Sequence, residues 1–539
     1  MRIHKNKDNP KYIFVTGGVL SGLGKGIISS STAKLLQLTG LSVSCVKIDP
    51  YVNYDAGTMN PIAHGEVFVT DDGGECDMDI GNYERFLDIK LTKDHNITTG
   101  RIYSSVINNE RKGKYLGQCV QVIPHITDAI KNQIRSIVYS TNLNVLVVEC
   151  GGTVGDIESL PFLEAFRQMN LEEPNNTLFI HVTLSPVLDV VGEQKTKPTQ
   201  HSVQELRRIG ISPNIIAVRC QNKLTSDAIR KISLFASIRE DCVISSHDVS
   251  SIYSVPEILA EQNIVDIISK KFGYINNSIK WRNWKNISKS FVTYDSVINI
   301  AIVGKYVSLK DSYASVYQAL FHASSKLGKK VEIVWIDSED FELGKKKLSI
   351  LNKYDGILIP GGFGKRGSEG IIKASNYARK KDIPFLGICL GFQLAIIAFA
   401  RYVCGIKNAN SEELDPDTQH PLIEYMPEQK TIGKMGGTMR LGKHKIDIDS
   451  KTIASNIYHN KIIYRRHRHR YEFNKKYHSI VKKFGLILSG SSDNAKRMEI
   501  LEIPTNRYYF AVQYHAEFDS RPGKPEEAFE SFIKACIKS

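Results

Sequence analysis

The sequence predicts an α/β protein made of two doubly wound, mostly parallel-sheet domains, the first of them P-loop-like. Three observations carry that prediction. Short β-branched runs alternate with stretches of helical spacing, glycine-rich turns follow several of the runs, and one polar stretch interrupts the alternation. At 539 residues the chain is also too long for one ordinary core.

The apolar runs of the first half are residues 12–15, 42–48, 145–150, 178–184 and 215–219. Segments 27–37 and 126–139, with apolar residues three and four apart, supply helices between some of them. Past Lys270 the pattern fades into "NNSIKWRNWKNISKS", which reads as a linker placed at 276–296 between domains at 1–275 and 297–539. The second half then repeats the alternation. Its runs are 297–303, 331–336, 356–359, 383–388 and 508–514, and they lead into Gly304-Lys305, Pro360-Gly361-Gly362, Cys389 and His515. Ligand sites in such sheets lie at the carboxyl ends of the strands.

Composition excludes several classes. The longest apolar runs, 386–390 and 395–400, fall far short of the ~20 residues that cross a bilayer. The opening "MRIHKNKDNPK" is polar, unlike a signal peptide, and the nine cysteines form no C-x-x-C pair. Reduced thiols in a cytoplasmic protein, with no membrane partner, are the expectation. Lys+Arg 71 against Asp+Glu 57 gives a net charge of +14, densest at "YRRHRHRYEF" (464–473). Such a cluster suits a nucleic-acid groove, but pockets for triphosphates need positive charge too.

"TGGVLSGLGKGIISS" (16–30) resembles a P-loop with two departures. An ordinary loop reads G-x-x-x-x-G-K-[ST], its N–H groups cradling phosphate and its last hydroxyl holding Mg²⁺. Here Gly18 lies one residue too far from Gly24, and Gly26 stands where the hydroxyl belongs. Another group must hold the metal.

In "LGICLGFQ" (386–393), Cys389 sits between glycines where an apolar strand meets a helical run. A nucleophile elbow needs this arrangement, and the following helix N-terminus favours a thiolate and an oxyanion. In "QYHAEF", His515 and Glu517 are two apart, so an extended backbone would point both the same way. Glu517 would orient the imidazole and His515 would activate Cys389, while "PGGFG" (360–364) could aim an N–H at the oxyanion.

These residues resemble the class I, triad-type glutamine amidotransferases, which pair a G-x-C-x-G elbow with an H-P-E motif. Ala516 replaces the proline, which would restrict His515 to extended conformations. Further strings extend the resemblance to the CTP synthase family over essentially the whole chain. They are "KIDPYVNYDAGTMNP" (47–61), "HGEVFVTDDGGECDMDIGNYERF" (64–86), "VECGGTVGDIESLPFLEA" (148–165), "GEQKTKPTQHSVQELRRIGI" (192–211) and "GGTMRLG" (436–442). The resemblance implies a synthetase domain joined to a class I glutaminase domain. In the scheme it implies, ATP phosphorylates the uracil 4-oxygen of UTP, and ammonia from glutamine displaces that phosphate to give CTP. It further implies that GTP stimulates, that CTP inhibits at a site overlapping that for UTP, that Mg²⁺ assists, and that a homotetramer is to be expected.

Residue by residue, the resemblance assigns ATP to Gly22, Leu23, Gly24, Lys25, Gly26, Ile27 and Asp79, and to His247, Asp248 and Val249, with His247 where the family has lysine. UTP and CTP fall to Ser21, Asp156, Ile157, Glu158, Lys195, Thr196, Lys197, Pro198, Thr199, Gln200 and Lys231. Glutamine falls to Gly362, Leu390, Gly391, Phe392, Gln393, Glu413 and Arg470, and a GTP-responsive lid to 436–442 with Arg440. Lys47 joins Cys389, His515 and Glu517 as a catalytic residue, stabilising charge as phosphoryl passes to uracil. Asp79 and Glu149, read as strand-end carboxylates, supply hard oxygens for Mg²⁺, with Asp71, Asp72 and Asp77 as local competitors. The basic cluster becomes a string flanking the glutamine site, not a nucleic-acid face. Two other readings stand beside this one: a basic nucleic-acid-binding P-loop protein with a vestigial glutaminase fold, and a cofactor-amidating enzyme sharing the domain pair.

Overall fold

The computed structural model describes residues 9–187, 193–273, 278–429 and 436–537. Gly192 of the 192–211 string and residues 276–277 of the expected linker lie outside the described residues. The chain divides into two compact units, one running to Ala56 and over Asp79–Val292, the other over Gly57–Met78 and from Thr293 onward.

The first unit carries, among the described residues, a seven-stranded sheet. Its strands are Lys11–Gly17 (β1), Val43–Asp49 (β2), Asn96–Thr98 (β3), Val145–Cys150 (β4), Thr177–Leu184 (β5), Ile215–Cys220 (β6) and Val243–His247 (β7). They run in the order β3-β2-β4-β1-β5-β6-β7 with every pairing parallel. Central β1 is buried along its whole length, which is why its apolar run lacks the alternation of a half-exposed strand. Phe14 stacks on Phe166 and Phe179 at 4.3 and 5.2 Å, tying β1 to the helix Leu160–Glu172 and to β5. Because all seven strands point the same way, their following loops share one edge of the sheet.

The stretch expected to be a linker holds the helix Arg282–Ser290. Trp284 is buried there against Phe86 and donates its indole N–H to the Tyr253 carbonyl at 3.1 Å. Phe291 also packs on Tyr253, ring centroids 4.7 Å apart, so aromatic side chains fasten a segment whose composition is otherwise polar.

The second unit's main sheet has nine strands among the described residues. Ser296–Gly304 (β8), Lys329–Asp337 (β9), Gly356–Ile359 (β10), Phe385–Ile388 (β11) and Tyr509–Val512 (β16) form a parallel half ordered β9-β8-β10-β11-β16. Four antiparallel strands, absent from the expected elements, continue it: Arg440–Ile448 (β12), Ile462–His469 (β13), Ile487–Ser492 (β14) and Arg497–Glu502 (β15), in the order β16-β15-β14-β12-β13. The hairpin Val67–Val69/Glu75–Asp77 also belongs to this unit, although it precedes the expected boundary by some 200 residues of chain.

Candidate active site

The first unit gathers charge at the carboxyl edge of its sheet. After β1 the loop turns into the helix Lys25–Leu38 through Gly24, whose φ of 85° is left-handed and suits glycine. Gly26 has no side chain for a physical reason: a Cβ there would lie 2.6 Å from Asp79 Cγ and 3.1 Å from its Oδ2. The space next to the loop's missing hydroxyl is occupied by a carboxylate.

Asp79 comes from the first turn of the helix Met78–Leu87, not from a strand end as the sequence suggested. Glu149 does lie in a strand, β4, where the parallel register sets it beside Lys47 of β2. Lys47 Nζ pairs with Asp79 Oδ2 and stands 3.5 Å from Glu149 Oε1 and 3.7 Å from Asp49 Oδ1. Tyr83 donates to Glu149 Oε2, and Asn82 donates to Asp79 Oδ1 at 3.1 Å. Asp79, Asn82 and Tyr83 are i, i+3 and i+4 on one helix face, a signal the sequence offered and the residue reading missed.

Burial pushes the Glu149 carboxyl up to about 6, against the pull of Lys47. Burial opposes ionised Asp79 too, but the Lys47 ammonium overrides it and keeps that carboxyl below its usual range. Lys25 donates to the Gly152 carbonyl at 2.8 Å, and burial lowers its pKa despite Glu149. Among the described residues no group of three or more Asp, Glu, His or Cys gathers as a metal cluster. A buried carboxylate, Glu149, and a half-buried one, Asp79, fit Mg²⁺ if water and nucleotide phosphate oxygens complete its shell. The competing acids are engaged in the second unit: Asp71 accepts from Arg466 Nε at 2.5 Å, Asp72 from the Thr70 hydroxyl, and Asp77 lies 3.6 Å from His64 Nε2.

The remaining nucleotide candidates follow other strands of the same edge. Ser21 and Gly22 are exposed and Leu23 is buried, while Ile27 lies in the helix's first turn. Asp156 accepts from Thr153 N–H at 2.7 Å and directly precedes the turn Ile157–Ser159, where Ile157 and Glu158 are exposed. Lys195 pairs with Glu193 at 2.7 Å, and Lys231, exposed on another helix, reaches the same carboxylate at 3.7 Å. Lys197 and Pro198 open the helix Lys197–Arg208. Thr196 accepts from Gln200 at 3.0 Å, and Thr199 bonds Thr183 at 2.9 Å. His247 ends β7 at the far side of the sheet, where Asp248 pairs with Arg219 and Val249 is half-buried.

In the second unit, Cys389 joins β11 to the helix Leu390–Tyr402 with φ 50° and ψ −97°, a strained backbone for a residue with a side chain. His515 Nδ1 and Glu517 Oε1 are 2.7 Å apart. The route to that contact differs from the expected one. β16 stops at Val512, and Ala516–Asp519 is a turn of 3₁₀ helix, so helical curvature and not an extended strand brings Glu517 under the imidazole. Burial works against a charged imidazole, but Glu517 and Cys389 reverse it and push His515 up to about 10. Its Nε2 is buried and has no hydrogen-bond partner among the described residues. A Cβ on Gly361 would come within 2.8 Å of His515 Cε1 and 3.7 Å of Cys389 Cβ, so the 360–364 turn lies directly against the pair.

Around that turn stand several glutamine candidates. A Cβ on Gly362 would lie 3.2 Å from Leu390 Cδ2, and Glu413 Oε1 accepts the Gly364 N–H at 2.7 Å. Burial raises the Glu413 carboxyl, with Gly364 and Lys305 opposing. Leu390, Gly391, Phe392 and Gln393 form the buried first turn after Cys389. Arg470 instead reaches Gln429 Oε1 at 3.0 Å and Thr438 Oγ1 at 2.8 Å. Arg440, assigned to a lid, is buried and committed to Glu499 at 2.7 Å and Ser492 at 3.0 Å.

The basic cluster resolves by strand periodicity. Arg466 and Arg468, on one face of β13, pair with Asp71 at 2.5 Å and Glu75 at 2.8 Å on the hairpin. His467 between them turns to Glu499 at 2.9 Å. The side chains of residues 466–470 are buried, so their charge is spent on contacts inside this unit. β13 also serves the Cys–His pair, because the Arg466 carbonyl accepts the His515 N–H at 2.8 Å and the Arg468 carbonyl lies 3.8 Å from Cys389 Sγ.

Two family models match the chain: CTP synthase N-terminus over residues 11–274 and glutamine amidotransferase class-I over residues 308–535. The chain is 54% identical over 528 residues to the CTP synthase of Pyrococcus furiosus, covering 98% of each. It is 50% identical over 529 residues to that of Methanococcoides burtonii, again covering 98% of each. Among solved structures, the glutaminase domain of Trypanosoma brucei CTPS with bound acivicin is 38% identical, with TM-score 0.42, covering 44% of this chain and 93% of that one. Among the described residues no helix is long and apolar enough to cross a membrane.

Proposed function

The chain belongs to the CTP synthase family, and on that premise we propose that it aminates UTP to CTP at the expense of ATP, through a 4-phosphorylated UTP intermediate, with ammonia drawn from glutamine. The observation that carries this reading is the meeting of Cys389 and the Glu517-held imidazole of His515 at the 360–364 turn, in a chain that also buries Lys47 between Asp79 and Glu149.

In the glutaminase half, the Cys389 thiolate attacks the glutamine carboxamide carbon. The developing oxyanion meets N–H groups of the 360–364 turn and of the helix that starts at Leu390. The His515 imidazolium, held by Glu517, gives its proton to the leaving nitrogen, and ammonia departs from a Cys389 thioester. Water activated by the now neutral imidazole then releases glutamate. Gly362, Leu390–Gln393, Glu413 and Arg470 form the glutamine site in this reading.

In the synthetase half, the 21–27 loop and Lys25 receive the ATP triphosphate. Lys47 stabilises the phosphoryl group as it passes to the uracil 4-oxygen. Asp79 and Glu149 would hold Mg²⁺, which when bound neutralises phosphate charge. Ammonia then displaces the phosphate, giving CTP, ADP and inorganic phosphate. Asp156–Glu158, Lys195–Gln200 and Lys231 take UTP, or CTP as inhibitor, and His247–Val249 take adenine. GTP activation and a homotetramer complete the family scheme, and Arg440 would have to leave Glu499 to take part in the former.

Purified protein given UTP, ATP, Mg²⁺ and glutamine should form CTP. Cys389→Ala should lose that activity yet still make CTP from ammonium chloride at alkaline pH, where more NH₃ is present. Loss of both activities in a folded variant would break the two-site scheme, and retention of both would remove Cys389 from the chemistry.

A further inference from the structure

Beside the proposed nucleophile lies a buried amide that no step above uses. We infer that Gln513 is a positioning residue of the glutaminase reaction: its side-chain N–H donates to the Cys389 sulfur and holds it as a thiolate facing His515. The inference rests on the reading of Cys389 as the nucleophile.

Register brings the two residues together. Ile388 and Val512 are partners across the parallel β11 and β16, and Cys389 N–H donates to the Val512 carbonyl at 2.8 Å. The next residue, Gln513, is therefore set beside Cys389, and its own N–H is anchored on the Glu499 carbonyl at 2.9 Å. Its side chain is buried, with Nε2 3.7 Å from Cys389 Sγ.

The direction of that amide follows from its neighbours. The Tyr471 carbonyl can only accept, and it takes a hydrogen bond from Gln393 Nε2 at 3.2 Å. The same nitrogen meets Gln513 at 3.2 Å, so Gln513 must present its oxygen there. Its NH₂ is left for the sulfur. A chain of three groups, starting from a fixed backbone carbonyl, thus delivers a donor to Cys389.

The ionic surroundings leave this role open to a neutral donor. His515, backed by Glu517, lies with Cys389 against Gly361. Arg468 contributes its carbonyl from β13, while its guanidinium is committed to Glu75 at 2.8 Å. A thiolate loses its own S–H bond to that carbonyl, and Gln513 supplies the replacement.

The test uses the full-length protein with Gln513→Met, which keeps the volume but donates nothing, and Gln513→Glu, which turns an acceptor toward the sulfur. Iodoacetamide labelling of the Cys389 peptide, read by mass spectrometry, reports the thiolate fraction against pH and separates it from exposed Cys119. The labelling midpoint should move up by about one unit in Gln513→Met, the loss of one hydrogen bond to a charged group, and further in Gln513→Glu. Near neutral pH, kcat for glutamine hydrolysis should fall about tenfold, with KM nearly unchanged and ammonia-supported CTP formation retained. A folded Gln513→Met with the wild-type labelling profile and kcat overturns the inference, as does a change in KM alone. Cys389→Ala run alongside separates the two failures: if it still hydrolyses glutamine the glutaminase reading falls, and if it does not, only the role of Gln513 is lost.

Discussion

Replacing Gly26 with alanine sets two physical effects against each other. Gly26 lies in the first turn of the helix Lys25–Leu38 and its φ is not positive, so propensity alone favours alanine by up to about 1 kcal/mol. The available space opposes it. The added Cβ would stand 2.6 Å from Asp79 Cγ, while Lys47 and Asn82 hold the same carboxylate from other sides. Overpacking of this kind costs about 1–3 kcal/mol, and tearing the buried pair apart costs about 3–5 kcal/mol, so local strain is the easier outcome. If most of it falls on the position of Asp79, ammonia-supported CTP formation should drop about ten- to a hundredfold at about 1.4 kcal/mol per decade. Thermal stability should change by no more than about 2 kcal/mol, the strain less the helix gain. The assay is CTP formation from UTP, ATP and ammonium chloride across a Mg²⁺ titration, with melting curves as the folding control. Gly26→Ser restores the ordinary P-loop hydroxyl and should be no better than alanine. A folded Gly26→Ala with the wild-type rate and Mg²⁺ requirement would refute the steric account.

Asp79→Ala and Glu149→Ala should each abolish CTP formation with glutamine or ammonia; near-normal turnover at ordinary Mg²⁺ in either would contradict the metal assignment. Ala516→Pro should leave the glutamine-dependent rate unchanged or faster, since Ala516 opens a 3₁₀ turn, where proline is tolerated; a large loss in a folded variant would show that the ring does not fit this buried position. The raised pKa of His515, about 10 against 6.5, makes a stabilising contribution that is complete below pH 6.5 and lost as pH rises toward 10. Melting temperature should therefore fall over that window more steeply in the wild type than in Glu517→Gln, and parallel slopes would count against the ion pair.

Local periodicity made much of the architecture legible. The apolar runs ending at Gly17, Cys150, Ile359 and Ile388 are buried parallel strands, and burial on both faces writes itself into consecutive residues. The same strand ends showed where Lys25 and Cys389 would stand. Tertiary structure decided what meets them. Asp79 fills the space beside Gly26 because a helix from beyond the 57–78 segment packs there, and Glu517 meets His515 through a 3₁₀ turn that the strand pattern did not announce. The polar stretch near Trp284 looked like a linker because one buried aromatic barely alters composition. Most of all, the residues of 464–473 alone allow two opposite readings, and only the resemblance chose the glutamine-site one; the fold pairs Arg466 with Asp71, 395 residues away, and Arg468 with Glu75, 393 away. Periodicity reports whether a residue is buried relative to its chain neighbours. It carries no record of a charge partner brought in from the other end of the chain, and that partner determines whether an arginine binds a ligand or holds a strand in place.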